Sequence, residues 1–440
     1  YASALDGHAT LELDQPKTDM RALFDVVLKH VPAPVGNADE PLQLQISALD
    51  YSSFVGRIGI GRVTRGTLKP KQEVMILAGN GTPKKARVNQ IQGFRGIERV
   101  QLDEATVGDI VLVNGIEELS IGATLADINQ PEAMPMRLVD EPTLTMNFQV
   151  NTSPFAGKEG KFVTSRQLRE RLEKELLTNV AMRFETTDET DVFLVSGRGE
   201  LHLTILLESM RREGYELAVS RPHVVFREIN GVKSEPFEML TVDVDEANQG
   251  VAMEALGVRR GDLLDMVPDG RGRVRLDYRI PARGLIGFQS DFMTMTRGTG
   301  IMSHVFDEYA PARPEIPARR NGVLISSEQG DAVAFALWKL QDRGRMFVSP
   351  GDALYKGMVI GIHSRDNDLV VNPIKGKQLT NVRASGTDEA VILTTPIQMT
   401  LESSIEFISD DELVEITPKT IRIRKRFLSE QDRKRASRAS

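Results

Sequence analysis

The sequence predicts a multidomain α+β protein: a β-barrel, two ferredoxin-like α/β sandwiches and a mixed, mostly-β carboxy-terminal domain. Three observations predict it. Turn signals recur at roughly ten-residue spacing through 39–131, as in small all-β barrels. Two consecutive stretches, 140–221 and 234–315, share the order strand, helix, strand, strand, helix, strand without sharing sequence. A final stretch, 316–440, mixes strand patterns with two helices and a long polar loop. The 440 residues are too many for one ordinary core.

Residues 1–38 read as a leader, with a helix around Met20, Leu23, Phe24, Val27 and Leu28 that Pro32 and Pro34 stop. In 39–131, Leu42, Leu44 and Ile46 alternate with polar residues, and Val55, Ile58, Ile60, Val63, Val74, Ile76, Val88 and Ile91 continue the pattern. The turns fall at Arg65-Gly66, Gly79-Asn80-Gly81, Gly108-Asp109 and Asn114-Gly115. A closed barrel fits this pattern best, and the pattern alone leaves a β-sandwich open.

In 140–221, a strand from Leu144 to Val150 leads into a helix opened by Thr164, with Gln167 three residues on as its capping-box partner. Leu168, Leu172 and Leu176 share one face of that helix. Strands at Ala181–Thr186 and Val192–Val195 follow. A helix from Glu200 to Arg212 then stops at Gly214, and Tyr215–Val219 is the last strand. In 234–315 the same order runs through strand Met239–Val244, helix Ala247–Leu256, a hairpin of Leu263–Val267 and Val274–Ile280 about Asp269-Gly270, a helical stripe of Leu285, Phe288, Phe292 and Met295, and strand Ile301–Phe306. In 316–440 we expect a helix over Asp331–Leu340, strands at Met358–Ile362, Ala390–Thr394 and Leu413–Ile416, and a helix opened by Thr400.

Hydrophobic content of 40% with 27% charged residues is the balance of a globular chain, and no apolar run approaches the ~20 residues of a membrane span. There are no cysteines, so disulfides, thiolate metal sites and cysteine nucleophiles are excluded. The phosphate-loop pattern GxxxxGK[ST] is absent: Gly157-Lys158, Gly160-Lys161 and Gly376-Lys377 all lack its first glycine and its hydroxyl. His8, His30, His202, His223, His304 and His363 are scattered and form no HExxH, and no GxSxG elbow occurs. No catalytic residue and no metal ligand stands out.

Binding remains. The net charge is −7, yet Lys419 to Arg438 holds nine basic residues against two acidic ones. Screening confines distant charges to about 8 Å at physiological salt, so a local basic surface can grip phosphate on an acidic protein. Within it, Ile421-Arg-Ile-Arg-Lys-Arg-Phe427 alternates apolar and basic residues. A strand there should bury Ile421 and Ile423 and project Arg422 and Arg424 to solvent, with Lys425 and Arg426 adding charge. The loop Asn372–Thr387 combines Lys375 and Lys377 as point charges, Arg383 as a bidentate phosphate donor, and Gln378, Thr380 and Asn381 as amide and hydroxyl partners for sugar or phosphate. A solvated tail and a flexible loop are the plain alternatives. Aromatic residues make up 5%, so shape and charge contacts to folded RNA suit the chain better than base stacking.

Several strings then carry a family resemblance. Val55-Gly-Arg-Ile-Gly-Ile-Gly-Arg-Val-Thr-Arg-Gly-Thr-Leu-Lys69, Val107-Gly-Asp-Ile-Val-Leu-Val-Asn-Gly115 and Ile121-Gly-Ala-Thr-Leu125 resemble the second-domain barrel of translational GTPases. Val195-Ser-Gly-Arg-Gly-Glu-Leu-His202 and Arg279-Ile-Pro-Ala-Arg-Gly-Leu-Ile-Gly287 resemble the third and fifth domains of elongation factor G and its relatives. Asn321-Gly-Val-Leu-Ile-Ser326, Gly361-Ile-His-Ser-Arg365, Leu379-Thr-Asn-Val-Arg-Ala-Ser-Gly-Thr-Asp-Glu-Ala390 and Ile421-Arg-Ile-Arg-Lys425 resemble the carboxy-terminal domain of the BipA (TypA) family. Between Val219 and Met239 there is no room for the fourth domain of elongation factor G.

The resemblance implies a cytoplasmic, monomeric, ribosome-binding factor that contacts ribosomal RNA, the large subunit and A-site tRNA. It also implies roles in large-subunit assembly and in stress, cold and virulence responses. Tyr1-Ala-Ser-Ala-Leu5 resembles the last guanine-recognition box of a GTPase domain. The resemblance therefore implies that GTP and magnesium belong to a domain missing before Tyr1, that this portion holds no cofactor, and that it does not catalyse. The positions matching the family's RNA-facing loop are Lys375, Lys377, Gln378, Thr380, Asn381 and Arg383. A LepA-type elongation factor and an unrelated RNA-binding or RNA-processing protein are the alternatives.

Overall fold

The structure is a computed structural model that describes residues 1–78, 82–136, 141–316, 319–376 and 392–439. The chain divides into two compact units, Tyr1–Val139 with Leu177–Val180 and Asp140–Leu176 with Ala181–Ser440. Among the described residues no helix is long and apolar enough to cross a membrane.

The first unit opens with a short hairpin, Ala2–Ser3 against His8–Ala9, and the helix Arg21–His30. No residue of that helix is buried, and Phe24 and Leu28 stand exposed. Eight strands follow in one antiparallel sheet, ordered Lys84–Arg87, Glu73–Leu77, Thr124–Ala126, Gln43–Ser52, Gly56–Arg65, Ile110–Val113, Ile91–Arg95, Glu98–Leu102. Leu44, Ile46, Val63, Val74, Ile91, Val111, Val113 and Leu125, from six of these strands, meet in one buried cluster. A single sheet can bring six strands to one core by wrapping around it, which is the barrel and not the two-sheet sandwich.

In the second unit, the first ferredoxin-like order is Arg183–Thr186, Val192–Gly197, Leu144–Val150, Leu217–Val219, all antiparallel. Its helices are Ser165–Leu176 and Glu200–Glu213. The expected capping box forms: Gln167 Oε1 accepts from the Thr164 N–H at 3.1 Å and the Gln167 N–H donates to Thr164 Oγ1 at 3.4 Å. Gly214 ends the second helix in the left-handed region at φ 101°, where a Cβ is strained. The second ferredoxin-like sheet has the same order, with Asp262–Pro268, Arg273–Pro281, Val232–Asp245 and Ile301–Pro311 side by side. Helices Gln249–Val258 and Phe288–Met295 bury Leu256, Phe288 and Phe292 on one of its faces.

The carboxy-terminal segment does not build a separate sheet. Leu217–Val219 pairs with Glu412–Ile416, and the sheet continues through Ile421–Lys425, Met358–His363, Val323–Ser326 and Leu369–Val371; with His223–Val224 beside Leu144–Val150 and Gly344–Met346 beside Met358–His363 it has eleven strands. The three residues Leu217, Ala218 and Val219 are fully buried, so this strand needs a hydrogen-bonding partner on both sides. One apolar cluster accordingly joins Phe148, Leu203 and Leu207 to Val323, Ile405 and Val414. Two elements differ from expectation. The helix begins at Ala334, because Gly330–Asp331 instead pairs with Ala353–Leu354. The strand expected at Ala390–Thr394 is absent over 392–394, while Ala390 and Val391 lie outside the described residues.

Candidate nucleic-acid interface

One short helix anchors the chain on either side of 377–391. Before it, Pro373 O accepts from the Val333 N–H at 3.0 Å, at the start of the helix Ala334–Leu340. After it, Gln341 at the helix end grips the returning chain, its Nε2 donating to Ile392 O and its Oε1 accepting from the Thr394 N–H, both at 3.2 Å. Ile397 then donates its N–H to Met346 O at 2.8 Å. Pro373 before 377–391 and Ile392 and Thr394 after it are therefore tied to the two ends of the same helix. Lys375 is exposed where the chain departs. Lys377, Gln378, Thr380, Asn381 and Arg383 lie outside the described residues.

The strand Ile421–Lys425 corrects the sequence reading. Its apolar face is buried as expected, with Ile423 in the large core cluster. Its basic face is also covered, by the segment 151–160, which leaves the Arg422 side chain only 11% exposed and buries Arg424. The Arg422 guanidinium lies 5.2 Å from the Phe155 ring centre and donates to Glu159 Oε1 at 2.7 Å and Glu415 Oε1 at 3.0 Å. Arg424 is 2% exposed and donates to Thr152 Oγ1 at 3.0 Å. Burial lowers its pKa, against the pull of Tyr355 and Glu415. Lys425 is also 2% exposed, with its ammonium 2.6 Å from Asp368, 2.7 Å from Asp411 and 3.0 Å from Glu412. Burial alone would pull the Lys425 pKa down, but these carboxylates reverse it and raise the pKa. All three strand cations are thus structural: Arg422 and Lys425 hold carboxylates that would be stranded if they turned to a phosphate, and Arg424 is buried against Thr152.

Arg426 is different. It is exposed, at the long distance of 3.8 Å from Glu189. Beyond it the helix Glu430–Ala439 carries Lys434, Arg435 and Arg438 on exposed positions, while Arg433 folds back on the carbonyls of Phe427 at 3.0 Å and Leu428 at 2.8 Å. The accessible cations of this region therefore include Lys375, Lys419, Arg426 and Lys434, Arg435 and Arg438 of the terminal helix. Sequence reading missed the acids that neutralise the rest. Glu415 and Glu412 sit inside an otherwise apolar strand, and nothing in Asn151–Gly160 marks it as the cover.

The residues do not fit a nucleotide phosphate. The amides of the Gly-Lys pairs at 157 and 160 already donate to the Glu216 carboxylate, each at 2.9 Å. Among the described residues no group of three or more His, Asp or Glu could hold a metal ion.

Three family models match: the TypA/BipA C-terminal domain over residues 321–430, the elongation factor G C-terminus over 232–320, and elongation factor Tu domain 2 over 56–126. The large ribosomal subunit assembly factor BipA of Escherichia coli K12 is 59% identical over 440 residues, covering 100% of this chain and 72% of that protein. The chain belongs to the BipA family of translational GTPases. Its BipA relatives in Haemophilus influenzae and Bacillus subtilis are 56% and 49% identical, over 100% and 99% of this chain and 72% of each relative. Identity at this level over the whole chain sets aside the LepA-type and unrelated-protein expectations. The loop feet, the eleven-stranded sheet's far half and Arg426 all fall in the stretch that matches the BipA C-terminal domain.

Proposed function

We propose that these residues form a ribosome-binding, RNA-contacting portion of a BipA-type factor that serves assembly of the large ribosomal subunit. The observation that carries this reading is that the chain on either side of 377–391 is held by the two ends of one helix, with Lys375 exposed beside it. In relatives named for large-subunit assembly, the same stretch aligns throughout. Lys375, Lys377, Gln378, Thr380, Asn381 and Arg383 contact ribosomal RNA and A-site tRNA, and Arg426 with the terminal helix supplies a second set of phosphate contacts. Arg422, Arg424 and Lys425 leave that list because their charges are used internally. Nucleotide hydrolysis is not performed by these residues. The protein acts as a cytoplasmic monomer, and the cold- and stress-linked roles of the resemblance follow from assembly.

The test is co-sedimentation with large ribosomal subunits across a salt series. The triple variant Lys375→Ala, Lys377→Ala, Arg383→Ala should bind more weakly and with a shallower dependence of log affinity on log salt, by about 0.7–0.9 per lost contact. Undiminished binding with an unchanged salt slope overturns the loop assignment.

A further inference from the structure

The outer strands of these sheets are guarded. In the barrel they read Lys-Lys-Ala-Arg over Lys84–Arg87 and Glu-Arg-Val-Gln-Leu over Glu98–Leu102. In the eleven-stranded sheet they are Arg-Phe-Glu-Thr over Arg183–Thr186 and the three residues Leu369–Val371. Ile301–Pro311, at one side of the second ferredoxin-like sheet, sets His304, Asp307 and Glu308 among its exposed Ile301, Val305 and Phe306. Charge and shortness keep unpaired backbone groups from recruiting another strand.

The opposite side of that sheet breaks the pattern. Asp262–Pro268 reads Asp-Leu-Leu-Asp-Met-Val-Pro, pairs on one side with Arg273–Pro281, and has no strand on its other side among the described residues. All seven residues are exposed, with Leu263 at 41%, Leu264 at 54%, Met266 at 46% and Val267 at 48%. Four large apolar side chains therefore line a free backbone edge. A bulge between Leu263 and Asp265 and the closing Pro268 limit its length, so it suits a short added strand and not a continuing fibre.

The charges on this edge choose the occupant. Asp262 pairs with Arg313, Asp265 accepts from the Met266 N–H at 2.8 Å, and Asp269 lies in the turn beyond. A second copy added antiparallel about Asp265 would set Asp265 against Asp265, and a three-residue slip would set Asp262 against Asp265. Like charges directly opposite destabilise a strand pair. A lysine or arginine opposite Asp265 is favourable, and the apolar residues on either side of it cover Leu264 and Met266. We propose that the Asp262–Pro268 edge accepts, by strand addition, an extended segment of a partner protein that alternates apolar and basic residues. This surface is independent of the RNA-contacting loop.

The probe is a nine-residue peptide of alternating valine and lysine, added to the full chain while amide hydrogen exchange is followed residue by residue. Amides within Asp262–Val267 should exchange about tenfold more slowly with the peptide bound, corresponding to an edge occupied nine-tenths of the time. Asp265→Lys should abolish that protection and transfer it to a peptide of alternating valine and glutamate. Three results overturn the proposal: no slowing at this edge; equal slowing by both peptides in both proteins; or slowing that grows with protein concentration in the absence of peptide, which would assign the edge to a second copy.

Discussion

The Tyr355 hydroxyl donates a 2.6 Å hydrogen bond to Glu415, a carboxylate with no solvent exposure. The same acid accepts from Asn151 Nδ2 and Ser153 Oγ, each at 3.0 Å, and pairs with Arg422. Four donors from three separate stretches therefore converge on one charge at the seam where the first ferredoxin-like sheet continues into the carboxy-terminal strands. Burial pushes the Tyr355 hydroxyl well above its ordinary pKa, and the neighbouring carboxylate adds to it, so the phenol stays a donor.

Tyr355→Phe removes one donor to a buried charge and should cost about 1.5–3 kcal/mol. Arg422→Ala leaves both Glu415 and Glu159 without their cation and should cost more, about 3–5 kcal/mol. Urea unfolding followed by a probe in the second unit measures both. Equal losses would show that the arginine contributes no more than a neutral donor.

Internal and surface cations should separate in RNA binding. Arg435→Ala with Arg438→Ala should lower the salt slope of large-subunit binding by about one per contact while leaving the urea midpoint unchanged. Lys425→Ala should do the reverse, because its ammonium holds Glu412, Asp411 and Asp368 and not a phosphate. A reduced salt slope in a stably folded Lys425→Ala protein would contradict the burial argument.

Stability should fall between weakly acidic and neutral pH. Glu200 is pushed up to about 7, first by burial and then by the Glu406 carboxylate, against His304 and Arg221. A carboxyl whose folded pKa is raised binds more protons folded than unfolded, so its contribution is present below the unfolded value and is lost as pH climbs to about 7. The loss is on the order of 3 kcal/mol. His304, raised by its hydrogen bond to Glu238, acts in the same direction: its contribution holds below the ordinary histidine pKa and goes as pH rises through the folded value. Glu200→Gln should flatten the urea midpoint between pH 5 and 7 (roughly the window between the two carboxyl values). An unchanged slope in that variant would remove Glu200 as the cause.

Gly287 starts the helix Phe288–Met295 at φ 70°, and a Cβ there would stand 3.1 Å from Glu406 O. Gly287→Ala combines a left-handed backbone with that contact and should destabilise by about 1–2 kcal/mol. Thermal unfolding checks it. The contact ties the second ferredoxin-like module to the helix Leu401–Phe407, so a neutral result would mean that the two can shift apart freely.

Much of the fold was legible because its signals are local. Turn glycines and period-two alternation mark the barrel strands, and Thr164, Gln167 and Gly214 mark helix ends through groups within a few residues. The polar stretch Asn372–Thr387 stood out by composition alone, and most of it lies outside the described residues. Arg422 and Arg424 were misread because alternation reports one buried face and says nothing of what covers the other. Thr152, Phe155 and Glu159, more than two hundred and fifty residues earlier, provide that cover.

The sequence by itself determined the element order of the two ferredoxin-like modules, the absence of a phosphate-loop motif and the family. Each follows from residue types at short spacing. Tertiary structure alone decided that Leu217–Val219 joins Glu412–Ile416 in one sheet, and which cations remain for a partner. Hydrogen bonding across a sheet and charge pairing in a core depend on distance in space, and segments far apart in the chain supply both.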